Sequence, residues 1–257
     1  MPDATVALAV DVTPVETRDI LELRERYRDE MRCQIVHDSH HARGFLDSWL
    51  IRAHGEVVGY GCVGGHQEVP RVTVREFFLV PEARPNAVPL FRHFLMASGG
   101  TRIAVQTNDR QLTHLFYEFV ERFTREKILF SDATTTALSV PGATFRKSTE
   151  ADRRRAFAHA AVPVGDWVVE LEGQLAGTGG VLLHYNPPFG DIYMEVHEPY
   201  RRRGVGSFLV QELKRVCYEM GRVPAARCNV SNDASRAALQ KAGLLPCALI
   251  ISGEITG

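Results

Sequence analysis

Six residues, Arg201-Arg202-Arg203-Gly204-Val205-Gly206, combine the charge and the backbone freedom that phosphate binding requires. Arginine carries fork-shaped donors that match phosphate oxygens. Glycine at 204 and 206 lets an anion approach the main chain without meeting a Cβ. An apolar run, Ile192 to Val196, precedes the turn, and a helical pattern from Phe208 to Met220 follows it. A turn in that place exposes the unpaired N–H groups of the helix start, where the helix dipole adds partial positive charge. From the residues alone, this is a site for a molecule that carries phosphate.

The neighbouring side chains supply candidates for proton transfer. Glu195 lies on the strand before the turn, and strand alternation puts Asp191 and Tyr193 on the same face. His184 and Tyr185 close the strand before that one. Glu195 is the leading candidate for a general base, with His184 second, and Tyr193 can carry a proton. The plain alternative for Glu195 is a solvated or salt-bridged strand residue, and for His184 a hairpin-end surface residue. Cys228 is read as a small buried residue rather than a nucleophile. His37, His40 and His41 cluster, but no carboxylate or cysteine stands at a fixed spacing from them. They are read as solvated loop residues, and no metal is expected. Arg153-Arg154-Arg155 reads as an exposed helix face.

The elements that must hold these residues come in two sets. His54-Gly55-Glu56-Val57-Val58-Gly59-Tyr60-Gly61 and Glu172-Gly173-Gln174-Leu175-Ala176-Gly177-Thr178-Gly179 carry glycines at the same places, 118 positions apart. Arg84 and Arg201 lie 117 apart in similar surroundings, and Thr107-Asn108-Asp109 resembles Ser231-Asn232-Asp233 at 124. Three matches in order at nearly one offset predict two copies of one fold. The boundary is placed at Leu138 to Ala143, around the turn Ser139-Val140-Pro141-Gly142, giving domains 1–138 and 143–257. Each copy reads as a mixture of helices and strands, an α/β (α+β) class. In the second, strands at 166–171, 175–185 and 191–196 precede a helix at 207–220, a strand at 225–230, a helix at 234–241 and a strand at 246–252.

The chain has 257 residues and a formal net charge of -1. That balance argues against a general nucleic-acid binder, which needs a basic excess. Five cysteines without CxxC spacing suit a reducing compartment, so a cytoplasmic location is expected. No signal peptide or membrane span is read.

The turn and its surroundings resemble the GNAT superfamily of Gcn5-related N-acetyltransferases. That family carries Arg/Gln-x-x-Gly-x-Gly/Ala between a strand and a helix, and Arg201-x-x-Gly204-x-Gly206 fits it. Asn232-Asp233-Ala234-Ser235-Arg236 and Leu239-Gln240-Lys241-Ala242-Gly243-Leu244 form a second similar block. The resemblance covers roughly 144–257 well and 17–135 weakly. It implies two tandem domains, each a mixed, mostly antiparallel sheet flanked by helices. It implies an acetyl-CoA-dependent N-acetyltransferase, with a small-molecule amine as acceptor and a monomer or homodimer as the working form. A protein N-acetyltransferase and a non-catalytic coenzyme A-binding module are the alternatives. By the resemblance, Arg201, Arg202, Arg203, Gly204, Val205, Gly206 and Ser207 would hold the pyrophosphate. Met194, Glu195 and Val196 would pair with the pantetheine arm, and Asn232 and Ser235 would flank it. Leu239 stands where many members have a tyrosine acid. In the first copy the turn reads Arg84-Pro85-Asn86-Ala87-Val88-Pro89, without either glycine. That copy is expected not to bind coenzyme A in the usual way.

Overall fold

The computed structural model describes residues 8–154 and 165–256. The chain folds as two compact units. One comprises the residues up to Glu126 together with those from Leu249 onward, and the other runs from Lys127 to Ala248.

In the first unit β1 (Val10–Val15) leads through a 3-10 turn at Thr17–Ile20 to α1 (Leu21–Met31) and the short α2 (Asp38–Ala42). Then come β2 (Leu46–Ala53), β3 (Glu56–Gly64), β4 (Thr73–Leu79), α3 (Ala87–Ser98), β5 (Arg102–Gln106) and α4 (Arg110–Phe119). β1 to β4 are antiparallel neighbours, β5 joins β4 in parallel, and residues Ile250 to Glu254 close the other side of β5. Apolar residues line both faces. Phe77, Leu90, Phe91, Phe94 and Phe116 pack on the α3 and α4 side. Ile20, Tyr27, Leu50, Tyr60 and Phe78 pack on the α1 side.

β6 (Phe123–Asp132) passes into the second unit, where it pairs with the later strand at 225–229. β7 (Ala143–Lys147), α5 (Glu150–Arg154), β8 (Trp167–Leu171), β9 (Gln174–Leu182) and β10 (Phe189–Val196) follow. α6 (Val205–Glu219), β11 (Val223–Asn229), α7 (Asp233–Lys241) and β12 (Leu244–Glu254) complete the chain. The sheet of this unit runs β6-β11-β10-β9-β8-β7, with β11 parallel to β10 and the other neighbours antiparallel.

The two units repeat one plan. Gly61 faces Phe77 across β3 and β4, and Gly179 faces Met194 across β9 and β10. A Cβ on Gly61 would strike the Phe94 ring of α3, and one on Gly179 would lie 2.9 Å from Leu213 of α6. Gly61 and Gly179 thus leave room for a helix to lie close on the sheet. The arginine at the start of each turn also behaves alike: Arg84 Nε donates to Leu79 O at 3.1 Å, and Arg201 Nε donates to Val196 O at 3.2 Å. The third repeat is off by one residue. Asp109 caps α4 and Asn232 caps α7, so Asp109, rather than Asn108, is the counterpart of Asn232.

Three expectations need correction. The boundary at 138–143 is displaced, because helix α6 of the second unit holds the segment before it. Gln211 Oε1 accepts from Leu138 N and Thr136 Oγ1, and Lys214 Nζ donates to Thr134 O and pairs with Asp132. The pattern from Gln111 to Phe123 reads as one helix in the sequence, but α4 ends at Phe119 and strand β6 follows from Phe123, its first half polar and exposed. The histidines are not solvated. His37 and the His41 side chain are enclosed against Glu76, a fully buried residue of β4. Arg24, Tyr60, His37 and His41 all reach that carboxylate. The partner was invisible in the spacing because it arrives from a strand 35 residues away from His41. The helix face at 153–155 lies partly outside the described residues; Arg153 is exposed.

Candidate functional site: a basic turn at a strand wedge

β10 and β11 pair only from Phe189–Val223 to Ile192–Ala226. Beyond Ile192 they part, while β10 stays paired with β9 as far as Val196. The edge of β10 from Tyr193 to Val196 that faces β11 therefore has no strand beside it, and apart from Val196 O, which accepts from Arg201 Nε, the main-chain groups on that side are open to a ligand. The wedge opens into a cleft of about 740 Å³ lined by β10, the 201–206 turn, the start of α6 and one face of α7.

The turn is built by left-handed backbone. Arg202 has φ 61° and Gly204 has φ 84°, and Gly204 is the residue that caps α6. Met194, Glu195, Val196, Arg201, Arg202, Gly204, Gly206, Ser207, Asn232 and Ser235 all border the cleft. Ser207 Oγ is turned to Gly204 O at 3.1 Å, and Asn232 Oδ1 accepts from Ser235 N at 3.0 Å. Two expected residues send their side chains elsewhere. Arg203 pairs with Glu172 and lies over the Tyr200 ring, and Val205 is buried under the sheet. Ala234, Ala237, Ala238 and Lys241 were missed. Their spacing of three and four residues is the signal of a single helix face.

The glycines of the turn do different work. A Cβ on Gly204 would have open space, with Val140 Cγ2 at 3.5 Å, so φ and charge decide what that position tolerates. A Cβ on Gly206 would make ordinary contacts with Val196, Ala238 and Met194 at 3.4–3.6 Å. Gly206→Ala should accordingly fold with a melting temperature close to the parent's, as read by thermal melting.

Asp191, Tyr193 and Glu195 share the other face of β10. His184 Nε2 lies 3.5 Å from Asp191 Oδ2, and Arg227 Nε is 3.8 Å from the same oxygen. His184 and Tyr193 are not part of the cleft lining; Glu195 is. Burial pushes the Tyr193 hydroxyl up to about 12. Leu239 is buried and does not border the cleft. Burial raises the Cys228 thiol, which disfavours a nucleophilic role.

Residues 132–244 match the sequence model of the acetyltransferase (GNAT) family. They form a GNAT-family acetyltransferase domain. No curated protein matches the chain. Solved structures with the same fold span both units. A GNAT-family acetyltransferase from Colwellia psychrerythraea is 14% identical with a TM-score of 0.72, covering 96% of this chain and 100% of that one. A tandem GNAT protein of the clavulanic acid biosynthesis pathway is 14% identical with a TM-score of 0.63, covering 97% and 99%. A GCN5-related N-acetyltransferase from Sphaerobacter thermophilus is 18% identical with a TM-score of 0.54, covering 82% and 81%. At such identities the likeness is one of fold: two GNAT folds in tandem.

The first of the two GNAT folds lacks the phosphate turn. Residues Pro81–Asn86 form a 3-10 turn that runs straight into α3 at Ala87, and Pro89 sits in the first turn of that helix without an N–H. Its strand edge is also occupied. Leu79 N, the counterpart of Val196 N, donates to Gln111 Oε1 at 3.2 Å.

Proposed function

We propose that the second unit binds acetyl-CoA and passes its acetyl group to the primary amine of a small molecule by direct attack in a ternary complex. One observation carries this reading: the basic glycine turn and the unpaired edge of β10 border the same cleft. The turn suits the pyrophosphate, the edge from Met194 to Val196 suits the amides of the pantetheine arm, and Asn232 and Ser235 flank it.

An ammonium has no lone pair, so the acceptor must first lose a proton. Glu195, half-buried at the cleft, is assigned as the base, with His184 held by Asp191 as the second candidate. The amine nitrogen then bonds to the thioester carbon, and the C–S bond breaks as the tetrahedral intermediate collapses. The nitrogen, which still carries an extra proton after attack, gives it up as the intermediate collapses, and the leaving thiolate takes up one proton, with Tyr193 beside the cleft as the assigned relay. A hydroxyl that ionises near 12 stays protonated through the neutral range and remains able to donate. Replacement Tyr193→Phe should lower kcat about 10- to 100-fold with little change in KM for acetyl-CoA. Since the acid form persists until pH approaches the raised value, the parent's rate should show no alkaline fall below pH 10 from this group. Initial rates of thiol release across pH check both.

Thiol release from acetyl-CoA over a panel of amines, with calorimetric binding of acetyl-CoA, tests the whole reading. Absence of both overturns it. Tight binding with no turnover would favour a non-catalytic coenzyme A-binding module, which the apolar Leu239 motivates. New acetyl-lysines in a treated lysate, with no turnover on small amines, would favour a protein acceptor. The expected setting is the cytoplasm. Among the described residues no helix is long and apolar enough to cross a membrane.

A further inference from the structure

The sheet of the second unit offers two faces beside the wedge. Met194 and Val196 point toward α6, since a Cβ on Gly206 of that helix would lie 3.6 Å from the first and 3.4 Å from the second. Asp191, Tyr193 and Glu195 point the other way by strand alternation. With α6 and α7 on the first face, an amine reaches a thioester in the wedge from the second. Where that thioester lies rests on the acetyl-CoA reading above. With the pyrophosphate on the turn and the arm along Val196 to Met194, the acetyl end lies where β10 and β11 meet, at Ile192 and Ala226.

Arg227 is the residue of β11 just beyond that junction, and it shares the face of Asp191. Two neighbours fix it. Its guanidinium carbon lies 5.5 Å from the centre of the Tyr185 ring, and its Nε is 3.8 Å from Asp191 Oδ2. His184 Nε2 approaches the same oxygen at 3.5 Å. An ion pair of 3.8 Å is too long for a hydrogen bond. Among the described residues no acceptor takes an N–H of this guanidinium, and the side chain is 31% exposed. By contrast, Arg146 and Arg203 of the same unit donate to carboxylates at hydrogen-bond distance. A planar fork held on a ring, with its donors unspent, matches a carboxylate or a phosphate. The Asp191 charge beside it offsets part of its own, which suits the singly charged carboxylate better.

We infer that the acceptor is an amino acid, its carboxylate on the Arg227 fork while its amine faces the thioester. Arg227 is then a specificity-determining residue, and the product is an N-acetylamino acid.

Initial rates of thiol release test this with three amino acids, L-leucine, β-alanine and 4-aminobutyrate, each against its own carboxamide. The amide keeps the shape and loses the charge. Its amine gives up a proton at least as readily, so a preference for the acid cannot come from the amine. At least one amino acid should exceed its amide by about tenfold or more in kcat/KM, mostly through KM. Arg227→Met keeps an unbranched apolar chain over Tyr185 and removes the fork, so the acid-to-amide ratio should fall to within about threefold of one. Arg227→Lys, which keeps the charge beside Asp191, should give an intermediate ratio and stands in if the methionine variant does not fold. Calorimetry with acetyl-CoA is run on each protein in parallel. Acetyl-CoA binding with none of the three acids turned over, parent rates alike on acids and amides, or an unchanged ratio in the variants overturns this inference and leaves the acetyl-CoA reading standing. A parent that does not bind acetyl-CoA overturns that reading and this inference with it.

Discussion

Gly204→Glu should lose acetyl-CoA binding by roughly a thousandfold while the protein stays folded. Two effects act together. Gly204 sits at φ 84°, so any side chain there strains the backbone by about 1 kcal/mol. The larger effect is charge. A carboxylate about 4 Å from a pyrophosphate near the surface costs about 4 kcal/mol, which is close to three factors of ten. Space is not the obstacle, since an added Cβ meets only Val140 at ordinary contact distance. Calorimetry with acetyl-CoA reads the loss, and circular dichroism with thermal melting shows that the fold is intact. Ala87→Glu, at the matching place of the first unit, should leave acetyl-CoA affinity within about twofold, because the turn there lacks the left-handed glycine and the free N–H at 89. Equal losses in the two variants would contradict the assignment of binding to the second unit alone.

Arg24→Leu should cost about 3–5 kcal/mol of stability, the largest effect expected of any single change in the first unit. Arg24 and Glu76 are both buried, and the guanidinium holds the carboxylate through Nε at 3.2 Å and Nη2 at 3.3 Å. Burial alone would raise the Glu76 carboxyl, but Arg24 and His41 hold it well below the usual carboxylate range. With the arginine gone, an ionised carboxylate would be left without its main counter-charge. Asp38, 2.5 Å from Arg24 Nη2, would keep Arg28 as its cation among the described residues. Urea unfolding monitored by fluorescence gives the difference. The double variant Arg24→Leu, Glu76→Leu should recover part of the loss, since a matched apolar pair avoids the stranded charge. His41, Cys62 and Glu76 place potential metal-ligand atoms within 4.8 Å of one another. The same carboxylate already accepts from two arginine nitrogens and Tyr60, and two arginines, 24 and 28, face two carboxylates, 38 and 76. The cluster therefore works as a charge-balanced core.

The turn and the helix cap at the cleft were legible because they are local. A glycine turn between a strand and a helix needs only its own six residues to be recognised, and the cap at Asn232 needs only the three that follow it. Glycines 59, 61, 177 and 179 were legible as a repeat, although the purpose of 61 and 179, close helix packing, emerges only from Phe94 and Leu213 above them. What the pattern hid was long-range. Glu76 gathers Arg24, His37, His41 and Tyr60 from three other elements, and no spacing rule joins them. The edge of the first unit was hidden for the same reason: turn residues at 139–142 mark a loop, whereas the packing of Gln211 and Lys214 on the segment before it decides to which unit that segment belongs.

The return of residues 250–254 to β5 has a consequence for how the protein is made. Synthesis runs from the amino end, so β5 emerges with one side open and waits through about 140 more residues for its last neighbour. At an elongation rate of about 5–20 residues per second, that wait lasts some seconds to half a minute. During it the nascent chain presents an apolar, unpaired strand edge, the kind of template that recruits other chains. A product truncated before residue 249 should therefore aggregate where the full chain stays dispersed, as read by pelleting after translation.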